Sequence, residues 1–116
     1  PEPISLYAMT KHLSEEMGKR YAAQYGMKVT CLRYFNVFGP RQTKDSLYSG
    51  VISTFAHTLL AGGQPLIYGD GNQTRDFIHV KDVARANLLA LQDTGEAFRV
   101  FNVATSQEHS LLQLLS

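Results

Sequence analysis

The sequence predicts an α/β fold. Three observations predict it: apolar residues at helical spacing over Ser5–Tyr25, a nearly all-apolar run "KVTCLRYFNV" directly after them, and a continued alternation of helical and extended patterns through the rest of the chain. A strand that is apolar on almost every residue fits a sheet covered on both faces.

Each element follows from local chemistry. In the first stretch Leu6, Met9, Leu13, Met17 and Tyr21 recur every three or four residues among Lys, Glu, His and Arg, the pattern of an amphipathic helix, and Gly26 supplies its C-terminal stop. The strand "KVTCLRYFNV" leads into "FGPRQTKDSLYSG", a loop rich in turn formers and charge. "VISTFAHTLLAGG" reads as a shorter helix closed by Gly62 and Gly63. "PLIYGDGNQTRDFIHV" is expected to form two short strands joined at Asp70-Gly71, a dipeptide suited to a tight hairpin. Asp82 is placed as an N-cap or first-turn acid of the helix "VARANLLALQ", "FRVFNVA" as a further strand, and a final helix is expected from about Ser110.

Composition narrows the function. With 116 residues, 44% of them hydrophobic, the chain can build one small globular domain with a modest core. Eleven basic residues against ten acidic ones give a net charge of +1, and no run of Lys or Arg makes the stripe that nucleic acid or an anionic membrane would need. A phosphate-bearing small ligand needs only one or two cations. The single Cys31 has no disulfide partner and sits in an apolar run, which fits a reduced, cytoplasmic setting. No stretch is long and apolar enough for a membrane span, and no secretory signal pattern is seen. The four histidines share no metal-ligand spacing with one another or with Cys31, so no metal site is expected. The run "SLLQLLS" at Ser116 and the start at Pro1 read as the edges of an excerpt.

Tyr7 and Lys11 stand at i, i+4, on one helix face and one turn apart. A phenol ordinarily titrates near pH ~10, and a neighbouring cation favours its ionised form, so such a pair can exchange a proton with a substrate hydroxyl. By itself the pattern is weak, because a chain with six tyrosines meets it readily by chance. Arg75, in "QTRDF", offers a planar and permanently charged fork for phosphate oxygens, with a surface ion pair to Asp70 or Asp76 as the alternative. Asn36 follows the buried strand, where open α/β sheets place ligands, although it could simply turn the loop. Asp76, Asp82 and His79 are expected to be structural, and Gly39, Pro40 and Arg41 to shape their loop.

Four collinear segments, "YAMTK", "LRYFNVFGPRQ", "GDGNQTRDFIHVKDVARA" and "VFNVA", closely resemble the extended short-chain dehydrogenase/reductase family, and within it the nucleotide-sugar epimerases and dehydratases. The resemblance runs over nearly the whole chain. It implies the later half of a Rossmann-like doubly wound sheet together with part of a small substrate-binding α/β subdomain. Residues 1–37 and 80–105 would belong to the NAD-binding domain, and 38–79 and 106–116 to the sugar-nucleotide subdomain. It implies that Tyr7 and Lys11 are catalytic and also touch the NAD cofactor, with Tyr34 and Phe35 bordering the nicotinamide. Asn36, Val51, Tyr68 and Arg75 would meet the substrate, Arg75 at its diphosphate.

The implied activity is UDP-sugar 4-epimerisation: Tyr7 takes the proton of a sugar hydroxyl while hydride passes to NAD, and a turned keto intermediate is reduced from its other face. A dehydratase or decarboxylase of the same family would share these residues. A non-catalytic relic acting as a binding module is the alternative outside enzymes. The family's Gly-rich phosphate turn has no counterpart in this sequence, and Ser5 lies too close to Tyr7 to match the family's upstream Ser or Thr. The resemblance also implies a homo-oligomer, since family members commonly pair through the helix that carries the Tyr-x-x-x-Lys pair.

Overall fold

The structure, a computed structural model, describes residues 5–43 and 50–116. Residues 44–49 of the expected loop, and residues 1–4, lie outside the described residues. The elements in chain order are α1 (Leu6–Tyr25), β1 (Val29–Tyr34), β2 (Asn36–Phe38), α2 (Val51–Leu60), β3 (Thr74–His79), α3 (Val80–Gln92), β4 (Phe98–Val103) and β5 (Glu108–Ser110).

Local chemistry sets both ends of α1. The Ser5 hydroxyl accepts a hydrogen bond from the Ala8 N–H at 3.1 Å, and Gly26 closes the helix in the left-handed region at φ 63°. The face that packs is not the one its apolar periodicity suggests. Leu6, Met9, Leu13, Met17 and Tyr21 remain exposed, while Ala22 is buried. A Cβ added at Gly18 would lie 3.0 Å from Val29 Cγ1 and 3.7 Å from Cys31 Sγ. Small residues let the helix axis approach the sheet closely, and the larger stripe is left outward.

β1 and β4 run parallel in register Val29↔Phe98 through Tyr34↔Val103. Alternation sends Val29, Cys31 and Arg33 toward α1, where Arg33 forms a fork onto Glu15 through Nε (2.7 Å) and Nη2 (2.6 Å). Leu32 and Tyr34 turn to the other side, where Leu32 packs on the core formed by Ile78, Val83 and Val103 and the Tyr34 hydroxyl donates to Asn87 of α3 at 3.0 Å. Helices therefore cover opposite faces of the strand pair, the doubly wound arrangement expected of the fold class.

Three expectations are corrected here. The run from Lys28 to Val37 is two strands, not one: Phe35 still donates to the Val103 carbonyl at 3.2 Å, and then β2 leaves to pair in parallel with β3. No hairpin forms at Asp70-Gly71. The Asp70 carboxylate instead accepts from the Asn72 backbone N–H and side-chain amide, each at 3.0 Å, and β3 finds its partners in β2 and, antiparallel, in β5. The final helix is replaced by β5 and a turn over 111–115, whose Leu112 N–H bonds the Gly71 carbonyl at 3.2 Å.

The helix α3 is capped by His79, whose Nδ1 accepts from the Lys81 N–H at 3.2 Å, and Asp82 lies in the first turn. Gly39 is required where the chain passes this cap: it has φ 154°, and an added Cβ would fall within 2.5 Å of Val80 Cγ1. Val37, Ala86 and Leu32 extend the core of Ile78, Val83 and Val103, so one small cluster under α3 joins both sheets.

Candidate functional site

Two groups of side chains stand out: one by the carboxyl end of the parallel strand β1, where α/β sheets bind ligands, and one against the β2–β3 pair. The first lies on α1. Glu15 contacts Arg33 and Gly18 contacts Val29 and Cys31, so the helix runs antiparallel to β1. Tyr7, two turns or about 12 Å before Glu15, therefore stands near the end of the strand where Tyr34 and Phe35 follow. Lys11 Nζ lies 5.3 Å from the centroid of the Tyr7 ring, as the four-residue spacing requires. Both residues are exposed at this end of the helix. The Arg33 fork keeps the Glu15 carboxyl below its ordinary range, and burial pushes the Cys31 thiol up, as befits a packing residue.

The second group is a cavity of about 390 Å³ between β2, β3 and the start of α2. Phe35, Asn36, Val51 and Arg75 line it, together with Gln42 and Phe77. Arg75 is exposed and makes no ion pair among the described residues, so the surface pairing to Asp70 or Asp76 does not form. Asn36 does not turn the loop. It begins β2, and its amide donates to the Asp76 carbonyl at 3.0 Å. Val51 opens α2, whose N-cap Gly50 has no side-chain cap, leaving the positive end of that helix beside the cavity.

Two of the expected site residues, Tyr34 at the cofactor and Tyr68 at the substrate, do not line this cavity. Tyr34 faces α3, and Tyr68 is 80% exposed in the bend before Asp70, where only its carbonyl is engaged, by the Gln73 amide at 2.9 Å. Phe77 could have been found from the alternation in "TRDFI", since it shares a strand face with Arg75. Gln42 carries no such signal: it reaches the cavity because its amide bonds the Val37 carbonyl at 3.4 Å and its own carbonyl accepts from the buried Ser53 hydroxyl at 3.1 Å.

Asp76 fastens this arrangement. Its buried carboxylate accepts from the Thr105 N–H at 2.9 and 3.1 Å and from the Thr105 hydroxyl at 2.8 Å, tying β3 to the chain leaving β4. These donors, the Thr105 N–H first, hold its pKa below the ordinary aspartate value. A depressed carboxylate stabilises the fold above its unfolded-state pKa and loses that contribution as pH falls through the folded value. Asp76→Asn should therefore lower the melting temperature at neutral pH, and its deficit against wild type should shrink on acidification below the ordinary aspartate range. Thermal melts by circular dichroism across roughly pH 7 to 2.5 test this, and a deficit that stays constant with pH would assign the effect to something other than the charge.

The parallel strands covered by helices on both faces define a class, a Rossmann-like α/β chain. Comparison with known proteins makes it specific. Residues 1–104 match the NAD dependent epimerase/dehydratase family, and the chain belongs to that family.

A UDP-glucose 4-epimerase from Thermotoga maritima, solved with UDP-glucose, superposes with a TM-score of 0.92 at 41% identity over 98% of this chain and 36% of its own. The UDP-glucose 4-epimerase of Thermus thermophilus, solved with NAD, gives a TM-score of 0.85 at 36% identity over 99% of this chain and 37% of its own. A UDP-N-acetyl-alpha-D-glucosaminuronate decarboxylase from Bacillus cytotoxicus is 41% identical over 110 residues, which are 93% of this chain and 33% of the relative. The chain thus spans about a third of the length of the relatives it matches. No helix among the described residues is long and apolar enough to cross a membrane, and no group of His, Cys, Asp or Glu among them could hold a metal.

Proposed function

We propose that this chain supplies the acid–base pair and part of the sugar-nucleotide site of an NAD-dependent UDP-sugar 4-epimerase. The observation that carries the reading is convergence: Asn36, Val51 and Arg75, from three elements distant in sequence, line one cavity beside Phe35. Tyr7 exchanges the proton of the sugar hydroxyl, Lys11 supports the phenol with its charge, Arg75 grips the diphosphate, and Asn36 orients the sugar nucleotide from the start of β2. Tyr7 and Lys11 fit the nicotinamide-ribose end of NAD, because both stand exposed on one helix face at the carboxyl end of the parallel strands. Bound NAD supplies the hydride chemistry.

The division of labour follows the two sheets. Residues 1–37 and 80–105 form the later part of the cofactor domain, and 38–79 with 106–116 part of the substrate subdomain, a reading supported by the separate β1–β4 and β2–β3–β5 sheets, with β2 straddling the boundary. The unpaired Cys31 agrees with a cytoplasmic enzyme.

A decarboxylase is the second reading, favoured by the 41% identity to the Bacillus cytotoxicus enzyme. Product analysis separates the two. The whole protein, incubated with NAD and in turn with UDP-glucose and UDP-glucuronic acid, should return the 4-epimer with mass unchanged. Release of carbon dioxide from the uronic acid, without epimerisation of either sugar, would favour the decarboxylase.

Self-association belongs to the same proposal. The stripe of Leu6, Met9, Leu13, Met17 and Tyr21 is solvent-exposed, and the radius of gyration of 17.2 Å exceeds the roughly 13 Å of a compact domain this long. Such apolar area favours contact with a second copy. The 116-residue chain alone should also show no turnover, having no Gly-rich turn to receive the cofactor's pyrophosphate. Light scattering across a dilution series should show dimers or larger species dissociating on dilution. A monodisperse monomer that binds NAD tightly in calorimetry would overturn both expectations.

A further inference from the structure

The residue directly opposite Arg75 on β5 is His109. Arg75 and Phe77 both line the cavity, so that face of β3 is the ligand-facing one. The other face carries Asp76, turned to Thr105, and Thr74, whose hydroxyl donates to Glu108 at 2.9 Å. Directly paired residues share a face, with Cβ atoms about 4.5–5.5 Å apart. His109 therefore stands beside Arg75 on the same face of the sheet, on the side of β3 away from β2, and Glu108 stands behind the sheet. The imidazole is exposed and, among the described residues, makes no hydrogen bond or ion pair of its own.

We propose that His109 is a second phosphate contact, so that Arg75 and His109 grip adjacent phosphates of a nucleoside diphosphate. The inference rests on the reading of the cavity as the sugar-nucleotide site. Chemistry favours it on two counts. An imidazole presents an N–H donor whether neutral or charged, so it can bind a phosphate oxygen in either state. Standing directly across from the Arg75 guanidinium on the neighbouring strand, it also gives an anion two nitrogen donors on one face of the sheet.

The specific consequence is discrimination between two phosphates and one. Calorimetric titration of the whole protein with UDP-glucose and with UMP should show His109→Ala weakening UDP-glucose about tenfold while leaving UMP within about twofold. His109→Arg should restore UDP-glucose affinity, which a loss of packing alone would not allow, and it keeps the test valid if the alanine variant folds poorly. Arg75→Ala, measured alongside, tests the underlying reading. Unchanged UDP-glucose affinity in His109→Ala, with a clear loss in Arg75→Ala, would overturn the role of His109 alone. Failure of the wild-type protein to bind UDP-glucose would overturn the cavity reading and this inference with it.

Discussion

Tyr7→Phe in the whole protein should lower turnover of UDP-glucose by about 10²–10⁴-fold, the usual worth of a positioned acid–base group, while leaving NAD affinity nearly unchanged. The substitution removes one oxygen. The ring that Lys11 approaches at 5.3 Å remains, and so do the backbone contacts of the first turn, where the Tyr7 carbonyl accepts from the Thr10 hydroxyl at 2.8 Å and Ser5 caps the helix. A large fall in kcat with an intact fold would therefore report chemistry and not structure. The companion change Lys11→Met should lower both rate and NAD affinity, because it removes the cation that serves phenol and cofactor together. Near-normal turnover in Tyr7→Phe would take the hydroxyl out of the mechanism, whatever the effect of Lys11→Met.

The features legible in the sequence are those whose causes are local. Ser5 and Gly26 bracket α1 because a cap needs only its own turn, and the Tyr7–Lys11 proximity follows from helical geometry. The break at Phe35 could not be read, since "LRYFNV" is apolar on both sides of it and the switch from β4 to β3 depends on partners far along the chain. The failed hairpin has the same origin. Asp70-Gly71 is a good turn, but β3 gains more by pairing with β2 and β5 than the preceding segment could offer. In "SLLQLLS" the apolar spacing suggests a helix, yet only Leu111 is buried, and Ser110 is drawn into the sheet opposite Thr74. Within the site, Asn36, Val51 and Arg75, singled out by motif resemblance, line one cavity, whereas the contact of the Tyr34 hydroxyl with Asn87, itself held through its amide to the Val83 carbonyl at 2.7 Å, joins residues far apart in the chain and is announced by no local pattern.

Arg75→Ala should raise the Michaelis constant for UDP-glucose by about 10- to 100-fold, the equivalent of the ~1.5–3 kcal/mol carried by a hydrogen bond to a charged group. Its NAD affinity should hold. The strand does not depend on this side chain: β3 is paired on one edge by β2 through Phe77–His79 and on the other by β5 through Thr74–Asp76, and Arg75 is exposed with no ion pair among the described residues. What it has is a place in the cavity wall beside Asn36 and Val51, with the uncapped start of α2 across from it. A guanidinium there gains its energy only when an anion arrives, so its loss falls on ligand binding and spares the fold. Arg75→Lys sharpens the point. It retains the charge but not the planar two-pronged geometry, and should recover part of the affinity without reaching wild type. Titrating UDP-glucose and NAD in one preparation of each variant makes the comparison direct. Equal weakening of the two ligands, or of neither, would make Arg75 a structural residue and leave the cavity without its diphosphate anchor.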